Sequence, residues 1–323
     1  MVPVPTLGMT RGALVASPAL RVVFFGTPEF AVPSLEAVAG AHDVVLAVAQ
    51  PDRPAGRGMH MQSPPVAVRA RQLGIEVVQP PKIRDPQFLE RMRQLAPDAA
   101  VVVAYGKILP ATLLSIPRYG FFNVHASVLP KYRGAAPIQR AIEAGETTTG
   151  ISIMRVDEEL DHGPVLAVER LEVAPDEHTP SLAQRLSRAG ANALVPVLAD
   201  IERGRAREMP QNHAEATLAP KIEKSEGAIT WNEPARTIYD KFRAFDPWPG
   251  VFVDSLKLIE IEPGAAPPTP AAPGTIIEIA NEAVTVATAN GIIRLIRLQR
   301  PGKSPVAASE HARATGWGVG AKL

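Results

Sequence analysis

Short apolar runs alternate with stretches of helical periodicity from residue 21 onwards. The first run, residues 22–25, is followed by a Gly26-Thr27-Pro28 turn and a helical pattern, which predicts a strand–turn–helix unit. Further runs predict strands at residues 44–49, 75–78, 99–104 and 121–124, with helices at residues 66–73, 87–95 and 137–144. Continuous apolar strands that alternate with helices are typical of a mostly parallel sheet covered on both faces, so we expect a Rossmann-like α/β fold.

The pattern changes in the last third of the chain. A predicted helix at residues 181–201 ends near Gly204, and the polar residues after it have weak periodicity, as in a linker. One helix and five short strand-like runs follow, the runs at residues 251–253, 257–261, 275–279, 283–287 and 292–298. Asn290-Gly291, between the last two runs, predicts a type I′ hairpin. Short strands at this spacing predict a smaller β-barrel of the oligonucleotide-binding (OB-like) type.

These patterns divide the chain into an extension, two domains and a linker. At about 100–200 residues per domain, a chain of 323 residues suits two domains. We expect residues 1–20 to be a disordered extension, or to result from assigning the start codon upstream of the true one. The predicted parts after it are an α/β domain at residues 21–204, a linker at 205–227 and the barrel domain at 228–323.

Charge and composition exclude several classes of protein. The 34 Lys and Arg residues balance 33 Asp and Glu residues, so an acidic partner must be met by local basic patches. The absence of cysteine excludes disulfides, a thiolate nucleophile, Cys-bound zinc and iron–sulfur clusters. No run approaches the roughly 20 apolar residues of a membrane-spanning helix. We therefore expect a cytoplasmic protein without a membrane segment, and we expect a monomer.

Common cofactor motifs are also missing from the sequence. The first strand–helix turn has one glycine, Gly26, where a dinucleotide-binding turn has three. Gly302-Lys303-Ser304 resembles the end of a phosphate-binding P-loop, but Arg297 stands where its first glycine belongs. The seven histidines include no pair four residues apart, so we expect no metal site.

One strand end gathers residues that are suited to catalysis. Asn123 and His125 are two residues apart, so both side chains leave the same face at the carboxyl end of a buried strand. Ligands of open α/β sheets bind at this edge, and Tyr105-Gly106 follows a neighbouring strand. Asp161 lies in an acidic loop between two apolar runs. The alternatives are that His125 satisfies backbone groups and that the acidic loop is simply solvated.

At these positions the chain resembles the methionyl-tRNA formyltransferase family, from about residue 21 to the C-terminus. The resemblance is found in Phe24-Phe25-Gly26-Thr27-Pro28-Glu29-Phe30-Ala31, residues 51–58, Ala104-Tyr105-Gly106, Asn123-Val124-His125, Arg133-Gly134-Ala135-Ala136-Pro137 and Asp246-Pro247-Trp248-Pro249. It implies a formyltransferase fold and formyl transfer from 10-formyltetrahydrofolate to the α-amine of charged initiator tRNA. Several motif residues depart from the usual family pattern, namely Ala126, His162, Met59 and His60.

The resemblance also implies a role for each motif residue. Asn123, His125 and Asp161 form the catalytic trio, and the loop Ser127-Val128-Leu129-Pro130 binds folate together with Tyr105 and Gly106. Asparagine can donate to an oxyanion, histidine can exchange a proton near neutral pH, and aspartate can orient the imidazole. This chemistry needs no metal and no covalent enzyme intermediate.

Basic residues at two places are candidates for tRNA contact. Arg53 and Arg57 lie in the Gly- and Pro-rich loop at residues 51–58. Residues 291–323 contain six basic residues and one acidic residue, a net charge of +5. We expect Arg294 and Arg300 to share one strand face, because their numbers differ by an even count, and to meet phosphates there. By the same count we expect Arg297 to lie on the opposite face.

The sequence motifs are also compatible with other functions. A relative that formylates an amino-sugar nucleotide can share the Asn-x-His motif and the later aspartate, although it has no need of an Arg-bearing loop. Glycinamide ribonucleotide formyltransferases resemble only the first domain. A non-catalytic RNA-binding protein with a small barrel would leave Asn123, His125 and Asp161 unexplained.

Overall fold

The computed structural model describes residues 19–55, 60–266 and 270–323. Arg57 and nearly all of the expected N-terminal extension therefore lie outside the described residues. None of the helices in the described part of the chain is long and apolar enough to cross a membrane.

The first two thirds of the chain alternate strands with helices, as the apolar pattern predicts. The strands are β1 Arg21–Gly26, β2 Asp43–Val48, β3 Arg53–Ala55, β4 His60–Gln62, β5 Val77–Val78, β6 Ala99–Val103, β7 Phe121–His125, β8 Arg133–Gly134, β9 Thr148–Arg155 and β10 Val165–Glu172. The helices are α1 Val32–Ala41, α2 Pro65–Gln72, α3 Pro86–Leu95, α4 Ala111–Leu114, α5 Pro137–Glu143 and α6 Thr179–Glu202. A short 3-10 helix at Glu29–Ala31 leads into α1.

The main sheet has seven strands in the order β10-β9-β7-β6-β1-β2-β5. The five strands from β7 to β5 are parallel, and β9 and β10 are antiparallel at one edge. Both faces are covered, since Val22 and Phe24 of β1 pack into one apolar cluster while Val23 and Phe25 pack into another. The mostly parallel Rossmann-like sheet predicted from the sequence is confirmed.

The loop that follows β9 reaches the site by an indirect route. Arg155, the last residue of β9, pairs with Phe122 near the start of β7. The loop therefore begins beside the amino half of β7 and must return toward its carboxyl end. It does return, because Asp161 lies against Asn123 and His125.

The second group of strands forms an antiparallel sheet. Its strands are β12 Val251–Val253, β13 Leu256–Gly264, β14 Ile276–Ile279, β15 Val284–Ala287, β16 Ile292–Gln299 and β17 Val306–Ala307, and its helices are α7 Ala235–Ala244 and α8 Ala308–Thr315. The order is β12-β13-β16-β15-β14, and β17 pairs with β16. The prediction of a second, smaller domain of short strands is confirmed.

The β15–β16 hairpin is present, but its predicted turn type is wrong. A type I′ turn requires two central residues with positive φ, whereas Gly291 has a φ of 95° and Asn290 does not have a positive φ. Four residues, 288–291, connect the strands, and the Thr288 N–H and hydroxyl both donate to the Gly291 carbonyl.

The predicted strand faces at β16 need a correction. Glu260 pairs with Arg297 and Ile261 pairs with Leu295, so the bulge leaves Ile296 without a partner residue on β13. As a result Arg297 is exposed like Arg294, and not on the opposite face as the even–odd count predicted. Arg300 lies just beyond the end of β16.

The polar residues between the two domains pack against the α/β domain. A short parallel pair joins β8 to β11, which spans Leu218–Ala219, and Met209 forms an isolated bridge with Val165. Two 3-10 helices, at His213–Glu215 and Lys224–Gly227, flank β11. These contacts bring residues 209–219 next to the loop that contains Asp161.

Candidate active site

Asn123, His125 and Asp161 meet at the end of β7. Asn123 Nδ2 donates to Asp161 Oδ1 over 3.4 Å, and His125 Nδ1 lies 3.6 Å from Asp161 Oδ2. The side chain of His125 is 5% exposed and that of Asp161 is 13% exposed. The structure thus brings together the three residues that the sequence singled out as a catalytic trio.

The backbone fixes which nitrogen of His125 faces the aspartate. Its Nε2 lies 2.9 Å from the Tyr132 carbonyl oxygen, which can only accept, so Nε2 donates. Nδ1 is then the unprotonated nitrogen of the neutral ring. This nitrogen is the one that faces a carboxylate oxygen of Asp161.

Residues 132–134, which we call the strap, hold both His125 and Asp161 through their backbone. At one end the Tyr132 carbonyl accepts from His125, and at the other end the Gly134 N–H donates to Asp161 Oδ2 over 2.8 Å. The Tyr132 N–H donates to the Thr217 hydroxyl over 2.8 Å. The strap therefore links the strand-end residues to the polar segment that follows α6.

Asp161 itself has an unusual backbone conformation. Its φ is 47°, in the left-handed region that residues other than glycine seldom adopt. Two carbonyls of this loop, those of Asp161 and Gly163, accept from Gln211 Nε2 over 2.9 and 2.7 Å. Nothing in the sequence pattern pointed to Gln211, because it lies in a polar stretch without periodicity.

His162, which departs from the family pattern, lies outside the trio. Its ring stacks on that of His213 with centroids 4.0 Å apart and an interplanar angle of 5°. His162 Nδ1 lies 2.8 Å from Asp157 Oδ2, and His213 Nδ1 accepts from Arg133 Nη2 over 2.8 Å. Within the described ranges, no cluster of three or more His, Cys, Asp or Glu side chains could hold a metal ion.

The loop at residues 127–130 is held by two serines. The Ser127 hydroxyl donates to the Lys131 carbonyl over 2.6 Å. The Ser152 hydroxyl accepts from the Leu129 N–H over 3.1 Å and donates to the Ser127 carbonyl over 2.8 Å. These bonds fix the loop beside His125, and they leave Val128 and Pro130 as its half-exposed side chains.

Tyr105 and Gly106 contribute differently to the same edge. The Tyr105 ring is buried and meets Phe25 edge-on at 5.4 Å, and burial raises the pKa of Tyr105 to about 12. Its carbonyl accepts from Thr27 Oγ1 and Gln50 Nε2 over 3.1 and 3.0 Å. Gly106, with a φ of 83°, has no atom within 4 Å of where a Cβ would lie. Of the pair, Gly106 is therefore the residue whose backbone is accessible.

The predicted RNA-facing arginines lie on both domains. Arg53 is exposed on β3, which pairs with β4 in a hairpin. At the hairpin base, hydrogen bonds from Gln79 and Ser63 lower the pKa of Asp52 below its usual value. Arg294 forms a surface ion pair with Glu262.

The sequence of the chain matches two family models, and together with the fold they define a formyltransferase. The model described as formyl transferase matches residues 20–198, and the model described as formyl transferase, C-terminal domain, matches residues 221–315. The chain is also 44% identical over 301 residues to the methionyl-tRNA formyltransferase of Sorangium cellulosum, covering 90% of this chain and 95% of that protein. The chain belongs to the methionyl-tRNA formyltransferase family, as the motifs predicted.

Solved structures of other proteins share the fold at low sequence identity. An N-formyltransferase from Helicobacter canadensis, in complex with folinic acid and dTDP-3-aminofucose, has a TM-score of 0.68 at 16% identity, covering 86% of this chain and 99% of that one. HypX from Aquifex aeolicus, in complex with tetrahydrofolic acid, has a TM-score of 0.60 at 17% identity. That match covers 94% of this chain and 48% of HypX, so this chain spans about half the length of HypX.

Proposed function

We propose that this protein transfers the formyl group of 10-formyltetrahydrofolate to the α-amino group of methionyl initiator tRNA in the cytoplasm. The observation that supports this most directly is that an amide and an imidazole at the end of β7 each lie within 3.6 Å of the same carboxylate. An acyl transfer to an amine needs an oxyanion donor and a proton acceptor, and these side chains supply both.

Each member of the trio has a separate task in this proposal. One N–H of Asn123 Nδ2 points to Asp161, and the other donates to the formyl oxygen as negative charge develops there. His125 Nδ1 takes the proton from the attacking amine, since Nε2 is committed to the Tyr132 carbonyl, and it gives this proton to the donor nitrogen as that nitrogen leaves. Asp161 stabilises the imidazolium that results. Loss of an oxyanion donor typically costs about 10²–10³ in rate, and loss of an acid or base about 10²–10⁴.

The residues around the trio fit a folate donor. When bound, this cosubstrate supplies the formyl group on a nitrogen that can accept a proton as it leaves. The backbone of Gly106, which faces open space, and the loop at residues 127–130 would hold it beside His125. The serine contacts described above keep that loop in place without using any group of the trio.

Charged side chains on both domains suit an RNA substrate. We assign phosphate contacts to Arg53 on β3, to Arg57, and to Arg294 and Arg300 of the second domain. The Arg294–Glu262 pair is exposed, so a phosphate can compete for the guanidinium at little cost. The enzyme acts as a monomer in this proposal.

The test is to assay the purified protein by mass spectrometry for formylated products, either formylmethionine from the tRNA or a formylated sugar nucleotide. It is incubated with 10-formyltetrahydrofolate and, in parallel, methionyl initiator tRNA, methionyl elongator tRNA and an amino-sugar nucleotide. We expect product mainly with the initiator tRNA. Product with the sugar nucleotide alone would instead establish the alternative, an amino-sugar formyltransferase.

The same assay tests the trio. Asn123→Ala, His125→Ala and Asp161→Ala should each lower kcat at least about tenfold, as expected for an acid, base or oxyanion donor. The control is Asn232→Ala, at an exposed position, which should leave kcat unchanged. A variant that stays folded and retains more than half of wild-type kcat would remove that residue from the trio.

A further inference from the structure

Gln211 uses every hydrogen-bonding group of its side chain close to Asp161. Its Oε1 accepts from Arg133 Nε and Nη2 over 3.1 and 2.6 Å. Its Nε2 donates to the carbonyls of Asp161 and Gly163 over 2.9 and 2.7 Å. A glutamine amide offers two N–H groups and one oxygen with two lone pairs, so all four are satisfied. At 8% exposure, this amide is shielded from water.

Arg133, which Gln211 holds, is the middle residue of the strap. The Tyr132 carbonyl of the strap accepts a hydrogen bond from His125, and the Gly134 N–H donates one to Asp161. Arg133 is 8% exposed, and apart from Gln211 its guanidinium donates to His213 Nδ1. Gln211 thus links Arg133, which lies between the two strap residues that contact the trio, to the loop that contains Asp161.

The Asp161 loop depends on these contacts for its shape. Asp161 has a φ of 47°, a conformation that persists only when surrounding contacts over-determine it. The Gln211 amide supplies two such contacts, to carbonyls on either side of His162. Without them, each carbonyl needs another partner, and the loop is free to relax toward an ordinary φ.

We propose that Gln211 is a positioning residue for formyl transfer. It ties the backbone of the Asp161 loop to Arg133 and so keeps the Asp161 carboxylate against His125. Gln211 touches none of the trio side chains, so its effect passes through Asp161. This inference rests on the function proposed above.

The experiment compares Gln211→Glu and Gln211→Ala with wild type in the initiator-tRNA formylation assay. Glutamate keeps the volume and pairs with Arg133, which favours folding, but it places a carboxylate oxygen against two carbonyls. A displacement of about 1 Å in a reacting group can cost about 10²-fold, so we expect kcat to fall about 10- to 100-fold. KM for both substrates should change less than about threefold, because Gln211 is buried and its side-chain hydrogen-bonding groups are all used within the protein.

The matched control is Asn212→Ala, next along the chain. Asn212 is exposed, and within the described residues its side chain bonds to Glu215 and Ala214 of its own turn, so this variant should keep wild-type kcat. Circular dichroism and thermal unfolding establish that each variant is folded at the assay temperature. Unchanged kcat in folded Gln211→Glu and Gln211→Ala would overturn the inference.

A second comparison separates positioning from general support of the fold. In an Asp161→Ala background, measured with enzyme in excess over charged tRNA, Gln211→Glu should lower the rate less than about twofold. If it lowers the rate as much as in wild type, Gln211 does not act through Asp161 and the inference is wrong. A wild-type protein that formylates no tRNA would refute the proposed function instead, which is a different result.

Discussion

Replacing Gly134 with alanine tests whether the strap holds the active site. Gly134 pairs with Ala219 in the parallel β8–β11 ladder, and its N–H donates to Asp161 Oδ2. A Cβ at this position would lie 2.6 Å from the Ala219 carbonyl oxygen and 3.1 Å from its carbonyl carbon. Both are backbone atoms, which cannot rotate away as a side chain can. The strap must therefore move away from β11 in Gly134→Ala.

The expected loss of stability has two sources. The φ of Gly134 is 128°, and a non-glycine residue in such a region costs about 1–3 kcal/mol. Opening the ladder also disturbs the Ala135 N–H bond to Ala219 O and the Arg133 N–H bond to Thr217 O, of 2.9 and 2.8 Å. At about 0.5–1.5 kcal/mol for each bond, the total loss is about 2–6 kcal/mol.

The effect on catalysis follows from the same movement. As the strap leaves β11, the Gly134 N–H and the Tyr132 carbonyl shift relative to Asp161 and His125. We expect kcat for formylation to fall at least about tenfold, since small misplacements of reacting groups are costly. The free energy of unfolding is measured in urea by circular dichroism, and kcat by single-turnover formylation.

Gly74→Ala is the matched control for the backbone strain alone. Gly74 has a φ of 73°, but no atom lies within 4 Å of its Cβ position. The variant should lose about 1–2 kcal/mol from the left-handed conformation and keep full activity. If Gly134→Ala is no less stable than Gly74→Ala and has wild-type kcat, the strap does not hold the site.

Two further predictions concern the second domain. The double variant Arg294→Gln, Arg300→Gln should raise KM for charged tRNA at nearly constant kcat. It should also flatten the salt dependence of KM, because each phosphate contact releases counterions. An unaltered slope in a salt titration of KM would mean that this face does not touch RNA. Burial, more than nearby Arg300, lowers the pKa of His311 from 6.5. As the pH falls, His311 therefore gains its proton at a higher pH in the unfolded chain than in the folded one. The free energy of unfolding should drop as the pH falls below about 6.5. Urea unfolding at pH 5.5 and 7.5 should show a smaller difference in His311→Asn than in wild type, and equal differences would refute this linkage.

The pattern of apolar and polar residues along short stretches was enough to predict the main sheet and two residues of the candidate site, Asn123 and His125. The apolar runs gave the strands because each is buried on both faces, as the split of Val22 and Val23 between two clusters illustrates. Asn123 and His125 were predictable as a pair because strand geometry places residues i and i+2 on one face. Both predictions depend only on the spacing of residues that are near in sequence.

Other features depend on contacts between distant parts of the chain. Arg297 follows a bulge in the pairing of β13 with β16, which an even–odd count along one strand does not include. Gln211 contacts Arg133, 78 residues earlier, and Asp161, 50 residues earlier. Its neighbours have no periodicity, and its own type is common on surfaces. For these reasons the segment at residues 205–227 resembled a linker although Gln211 bonds to the loop that contains Asp161.

The direction of β9 explains why the site needs so many supporting contacts. Because β9 is antiparallel to β7, the loop after it starts at the wrong end of the sheet for an active site. Asp161 can reach His125 only if this loop turns back, and the turn includes a φ of 47° at Asp161 itself. Such a conformation is stable only with contacts from outside the loop, and Gln211 and Gly134 supply them. The antiparallel edge does not place Asp161 directly, so the strap and the segment after α6 contribute the contacts that hold the returning loop beside His125.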